Sequence, residues 1–198
     1  LHSLCWKKDE AIVIRHRGFD FTKLREVLNK VPTVGQNIKF DAKFLKHHLD
    51  ITLRIFMDTM VAAMMGYSDS FPGKRFSLDN IVANIFPFIK MDKQIRNSFI
   101  DRDYEDEFTI EEVEYAVGDS ILVYWLVQPL LTRLLSTNQW DMYKDLEMPV
   151  LMEFVRTELH GIPVDYKGLG EYYEDLGTNL NEQYLNIQEQ IKNTEFAG

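Results

Sequence analysis

Two short runs of β-branched and apolar residues, Val31-Pro-Thr-Val34 and Leu53-Arg-Ile-Phe-Met57, each lead into a helical pattern. That alternation confines the chain to a layered α/β architecture. The first run stops at Gly35, and the helix after it starts near Asn37 and continues from Ala42 to Leu49. The second run leads through Asp58 to Thr59, where the pattern becomes helical again. Upstream, Leu4-Cys-Trp6 and Ala11-Ile-Val-Ile14 flank the turn-like Lys7-Lys-Asp-Glu10 and predict a hairpin. Asp20 or Thr22 caps a helix to about Asn29, with Leu24, Val27 and Leu28 on its apolar face.

Gly66 to Gly73 carries the Gly, Ser, Asp and Pro content of a loop, and a helix is expected from about Leu78 to Phe86. Asp92 to Phe108 mixes charges of both signs with few apolar residues, as a mobile surface loop does. Thr109-Ile-Glu-Glu112 has the capping-box pattern, in which the Thr hydroxyl and the Glu carboxylate each satisfy an exposed backbone donor. The helix it starts is expected to reach about Leu126, with Pro129 kinking or interrupting it before Leu135. Ser136-Thr-Asn138 marks a boundary. Beyond it, helices are expected over Met142 to Leu159 and Leu169 to Lys192, joined by the extended Gly161-Ile-Pro-Val-Asp165.

At 198 residues, 45% hydrophobic and 27% charged, the chain can bury one sizeable core with an appendage. Its single cysteine, Cys5, cannot form an internal disulfide and reads as a small buried hydrophobe on a strand. This fits a reducing compartment such as the cytoplasm. No apolar run approaches the ~20 residues of a membrane span, so no membrane partner is expected. The net charge of −9 argues against a phosphate-rich partner until its distribution is considered. Residues 1–140 carry 18 Lys and Arg against 19 Asp and Glu, whereas residues 141–198 carry 4 against 12. The start at Leu1 rather than Met, and the stop just after a helical pattern, suggest a fragment.

Two segments carry chemistry. In Val34-Gly-Gln-Asn-Ile-Lys-Phe-Asp41, Asn37 and Asp41 lie one helical turn apart on the same face. A carboxylate beside an amide suits a hard cation and a phosphate group. In Tyr115-Ala-Val-Gly-Asp119 the same spacing pairs a phenol with a carboxylate, and Gly118 leaves room beside them at a helix cost of about 1 kcal/mol against Ala. Either segment alone has a plain structural reading: a helix cap for the first, a half-buried Tyr with a solvated Asp for the second. Asp58 reads as a helix cap or a support for the site. Lys74 and Arg75 are loop cations, either solvated or able to reach a phosphate backbone. His47 and His48 suit a helix C-terminus, and Lys39, Lys43 and Lys46 a solvated basic face.

Taken in order, these segments resemble the exonuclease region of family A DNA polymerases. Val34 to Leu45 resembles the second exonuclease motif, Phe56-Met-Asp-Thr-Met60 the strand end that follows it, and Tyr115 to Asp119 the Tyr-x-x-x-Asp third motif. Leu146-Glu-Met-Pro-Val150 and Glu158-Leu-His-Gly-Ile-Pro-Val-Asp165 are similar to the start of the polymerase thumb. The resemblance implies a ribonuclease H-like exonuclease fold, a mixed sheet flanked by helices, over residues 1–137, and a helical thumb segment over 138–198. It also implies 3′→5′ hydrolysis of the terminal phosphodiester of single-stranded DNA, releasing dNMP, with two Mg²⁺ or Mn²⁺ ions held by four carboxylates. Asp41 and Asp119 correspond to two of the four, and Tyr115 to the residue that positions the attacking water. Gln36 and Asn37 correspond to residues that touch the terminal nucleotide or support the site, and Arg75 is a further candidate contact to the substrate.

The Asp-x-Glu of the family's first motif, and the strand that carries it, are missing from this sequence. Asp103-Tyr-Glu105 and Asp145-Leu-Glu147 have the spacing but neither the order nor the strand. The expectation is that this polypeptide does not hold both metals or degrade DNA, while a longer parent with palm and fingers does. The alternatives are an RNase D-like RNA exonuclease, against which the thumb-like segment argues, and a degenerate DNA-positioning module.

Overall fold

The strands form where β-branched residues cluster, and they pair as two small sheets. The computed structural model describes residues 1–71, 73, 75–91, 95, 98, 99 and 107–192. Strands β1 (His2–Lys7) and β2 (Glu10–Ile14) form the expected antiparallel hairpin, pairing His2 with Ile14 and Leu4 with Ile12, with a bulge between Cys5 and Lys7. After helix α1 (Thr22–Leu28), strand β3 (Pro32–Gly35) pairs in parallel with β4 (Arg54–Asp58), and helix α2 (Ile38–Leu49) is the crossover between them. The register sets Gly35 opposite Asp58. The two strands therefore end side by side, and the helices that follow them start side by side.

Helix α3 (Thr59–Tyr67) follows β4, and α4 (Leu78–Ile85) follows the expected loop. Helix α5 (Ile110–Ser136) starts at the capping box, which is fully formed. It differs from expectation in continuing through Pro129 to Ser136. The physical reason is burial. Leu126, Leu130 and Leu134 form a stripe at helical spacing with no exposed surface, and each contributes roughly 1.5–3 kcal/mol. Together they outweigh the ~3 kcal/mol cost of an interior proline. Helix α3 meets α5 with the small residues Ala62, Ala63 and Gly66. A Cβ at Gly66 would lie 2.9 Å from Arg133 Cγ, and Arg133 Nε donates to the Gly66 carbonyl at 2.7 Å.

After the turn at Asn138, whose φ is 54°, helix α6 (Trp140–Met142) continues through a π-helical stretch (Tyr143–Glu147) into α7 (Met148–His160). The helix expected from Met142 thus starts earlier. Helix α7 packs on α2 and β4, burying Met148, Leu151 and Val155. By contact density, Leu1–His160 forms one compact unit and Gly161–Gly198 another. In the second, α8 (Tyr166–Lys192) starts before the expected Leu169 because Asp165 Oδ1 accepts from the amides of Lys167 at 3.1 Å and Gly168 at 3.0 Å. No described helix is long and apolar enough to cross a membrane. Most of the stretch expected as a mobile loop, including Asp103 and Glu105, lies outside the described residues, as does Lys74.

Candidate active site

The end of β3 and the start of α2 are built around a glycine. A Cβ at Gly35 would lie 2.8–2.9 Å from the Ile38 side chain, which is buried in the core. Gly35 therefore lets Ile38 close the strand onto its helix. Gln36 comes next, with both ends of its amide engaged. Its Nε2 donates to the Phe76 carbonyl at 2.9 Å, and its Oε1 accepts from Thr59 Oγ1 at 2.6 Å. Thr59 also donates to the Gly35 carbonyl at 3.2 Å. In this conformation Gln36 supports the turn.

Asn37 occupies the N-cap position of α2 in the left-handed region, φ 52° and ψ 44°, and its side chain makes no capping bond. That conformation costs a residue with a Cβ roughly 1–2 kcal/mol, and Asn tolerates it better than most. The cap comes from another strand. Asp58, at the end of β4, accepts from Asn37 N at 3.1 Å and Ile38 N at 3.0 Å, while also capping its own helix through Met60 N at 2.9 Å. Asp58 is 1% exposed. Burial raises its pKa, and the amide donors around it only partly offset this. The Asn37 amide side chain, relieved of capping, lies on an exposed residue.

Asp41 stands in the first turn of α2. The residue keeps an exposed edge, yet protein crowds behind its carboxyl. Desolvation pushes its pKa up to about 6, with the nearby Asp58 charge acting in the same direction. The two observations are compatible, because one describes the open side of the group and the other the mass behind it.

Tyr115 and Asp119 lie half-buried on α5. The Phe99 ring sits 6.1 Å from the Tyr115 ring, and a Cβ at Gly118 would meet nothing within 4 Å. Among the described residues, the space beside Gly118 is open. This part of α5 is fastened to the hairpin: Ser3 Oγ donates to the Ala116 carbonyl at 2.6 Å and lies 2.8 Å from Ser120 Oγ. Helix α5 also packs against β3, the strand that leads into α2, so both motifs sit on neighbours of one strand. Arg75 is exposed in the loop between α3 and α4.

Sequence reasoning missed Tyr143, Ser3 and the second role of Asp58. Tyr143 is fully buried; its hydroxyl accepts from the Asp58 amide at 2.7 Å and donates to the Asp58 carbonyl at 3.1 Å. The Lys face of α2 is also less free than expected, because Lys39 and Lys43 both pair with Glu158 of α7. His47 and His48 do lie in the last turn of α2. Asp41 and Asp119 are hard oxygen donors suited to Mg²⁺ or Mn²⁺. Among the described residues, however, no group of three or more His, Cys, Asp or Glu is placed to hold a metal. The donor chemistry fits a divalent ion and the donor number does not.

A family model described as 3′-5′ exonuclease matches residues 1–135. The DNA polymerase I of Aquifex aeolicus (strain VF5) is 31% identical over 169 residues, which is 76% of this chain and 27% of that protein. The chain thus spans about a quarter of that relative. A solved structure described as the apo form of a nuclease superposes with a TM-score of 0.64 at 17% identity, covering 79% of this chain and 73% of that one. At that identity the likeness speaks for the fold. The RNase D-like alternative is not favoured. The chain belongs to the 3′–5′ exonuclease family of the DNA polymerase A type.

Proposed function

We propose that this chain is the proofreading portion of a family A DNA polymerase, acting on the single-stranded 3′ end of DNA and releasing dNMP. The observation that carries this reading is the start of α2. There Asn37 is freed from capping and Asp41 is partly desolvated yet open on one side. In this reading Asn37 meets the terminal nucleotide and Gln36 braces the turn that presents it. Arg75 contacts the DNA backbone, Tyr115 orients the attacking water, and Asp41 and Asp119 are two of the carboxylates for divalent ions. Palm and fingers of the same polymerase are the further partners. The segment from Asn138 onward is the start of the thumb, and the cytoplasm is the setting.

The reading has a corollary. With two of four carboxylates, this chain alone leaves divalent ions under-coordinated and does not degrade DNA. The test is Mg²⁺- or Mn²⁺-dependent cleavage of 3′-labelled single-stranded DNA by this chain and by a longer polypeptide that includes an Asp-x-Glu strand. The longer polypeptide should cleave, and Tyr115→Phe should slow it about a hundredfold. Robust cleavage by this chain that disappears in Asp41→Ala would overturn the corollary. Full activity of the longer polypeptide carrying Asp41→Ala would overturn the site, and its inactivity with all four carboxylates present would favour a DNA-positioning module.

A further inference from the structure

Four backbone amides converge on one buried carboxylate. Asp58 Oδ1 accepts from Asn37 N at 3.1 Å, Met60 N at 2.9 Å and Val61 N at 3.4 Å, and its Oδ2 accepts from Ile38 N at 3.0 Å. Capping α3 alone does not call for this arrangement, since an exposed Ser or Thr caps a helix well. Burying a carboxylate is costly unless its oxygens are satisfied. The second pair of amides accounts for the choice. Asn37 and Ile38 open α2, and their bonds to Asp58 hold the left-handed Asn37 in place.

Asp58 is itself held from below. The buried Tyr143 hydroxyl serves both the amide and the carbonyl of Asp58, so the main chain at the end of β4 is pinned at both polar groups. Tyr143 lies beyond residue 135, where the exonuclease family match ends. Its neighbours in the chain pack on the same side: α7 rests on β4 and α2, and Glu158 ties α7 to Lys39 and Lys43 on α2.

We propose that Asp58 is a positioning residue of the exonuclease site, holding Asn37 and the first turn of α2 in the geometry a bound 3′ nucleotide meets, and that Tyr143 sets where Asp58 stands. The proposal rests on the substrate-facing reading of Asn37 and Asp41 given above. It makes the helix after Asn138 part of the nuclease site's support. Movement of that helix away from β4 would withdraw the hydroxyl and loosen the start of α2.

The test uses the whole chain and a single-stranded oligonucleotide with a 3′ hydroxyl, in EDTA, comparing Asp58→Asn and Tyr143→Phe with the parent sequence. Asn keeps one acceptor oxygen, so the amide of either Asn37 or Ile38 faces its NH2 and the turn they share loses a tie, while Phe keeps the ring and removes only the hydroxyl. Amide exchange at Asn37 and Ile38 should accelerate about tenfold in Asp58→Asn. Oligonucleotide affinity should fall by a similar factor, and the NMR response of the Asn37 side-chain amide to the oligonucleotide should vanish. Exchange around Leu130 in α5 should stay unchanged. Tyr143→Phe should give the same pattern, weaker, and it decides the matter if Asp58→Asn does not fold. Asn37→Ala separates the two readings. If it leaves affinity unchanged, or if the parent chain binds no oligonucleotide, the substrate-facing role fails, and the positioning role is judged by exchange at Asn37 and Ile38. Wild-type exchange at these two amides in both variants overturns the proposal. So does acceleration spread evenly through α5, the mark of a general loss of stability.

Discussion

Helices α5 and α8 are both 27 residues long and differ in almost everything that packing contributes. Helix α5 buries Glu112, Leu126, Leu130 and Leu134, tolerates an internal proline, and carries Tyr115 and Asp119. Helix α8 buries none of its residues, although Leu169, Tyr173, Leu176 and Leu180 recur at helical spacing along it. Pattern is enough to make a helix, but only burial holds one still. A site must fix its groups to within about 0.5 Å, and α5 can do this through the core that α8 lacks.

The sharpest test of this contrast is truncation of one leucine in each helix. Leu130→Ala should cost about 2–5 kcal/mol in urea unfolding, whereas Leu176→Ala should stay within about 0.5 kcal/mol. Equal costs would break the comparison, because they would mean that the face of α8 is covered in solution.

The same difference between enclosed and open surroundings acts on Asp41, through pH. Its folded pKa, about 6, lies above the ordinary carboxylate value. The stability linked to it is therefore fully present below the unfolded pKa of about 4 and lost as pH rises through the folded value. Solvent on its open side screens the effect. Asp41→Asn should raise Tm by about 2–4 °C near pH 8 and leave it unchanged near pH 4. Thermal melts of both chains across that range check the sign, and a gap that ignores pH would refute the cause.

The smallest effect separates the two caps. Thr109→Ala and Asp165→Ala should each cost about 1 kcal/mol locally, but they should be read out differently. The loss at Thr109 should move the cooperative unfolding of the Leu1–His160 unit. The loss at Asp165 should lower the helical circular dichroism signal and leave that transition where it is. A shared shift would show that the two units unfold together.

Much of the fold was legible because its signals are local. Gly35 after a β-branched run, the Thr109 to Glu112 box and the Asn37 to Asp41 spacing each lie within a few residues, where backbone geometry and helical period act directly. The candidate site was legible as two motifs on two helices for the same reason. The course of α5 through Pro129 was not, because local chemistry opposes it and leucines packed on α3 decide it.

The sequence by itself determined the start of α2 and the helix that carries Tyr115 and Asp119, since those depend on neighbours in the chain. The tertiary structure alone decided what supports them. Asp58 reaches amides some 20 residues earlier, Ser3 holds the carbonyl of Ala116, and Tyr143 holds Asp58 across 85 positions. Nothing in the residues between Asp58 and Tyr143 encodes that pairing. It exists because α7 packs on β4 with its buried Met148, Leu151 and Val155, and so brings the hydroxyl just before it in the chain to the end of the strand.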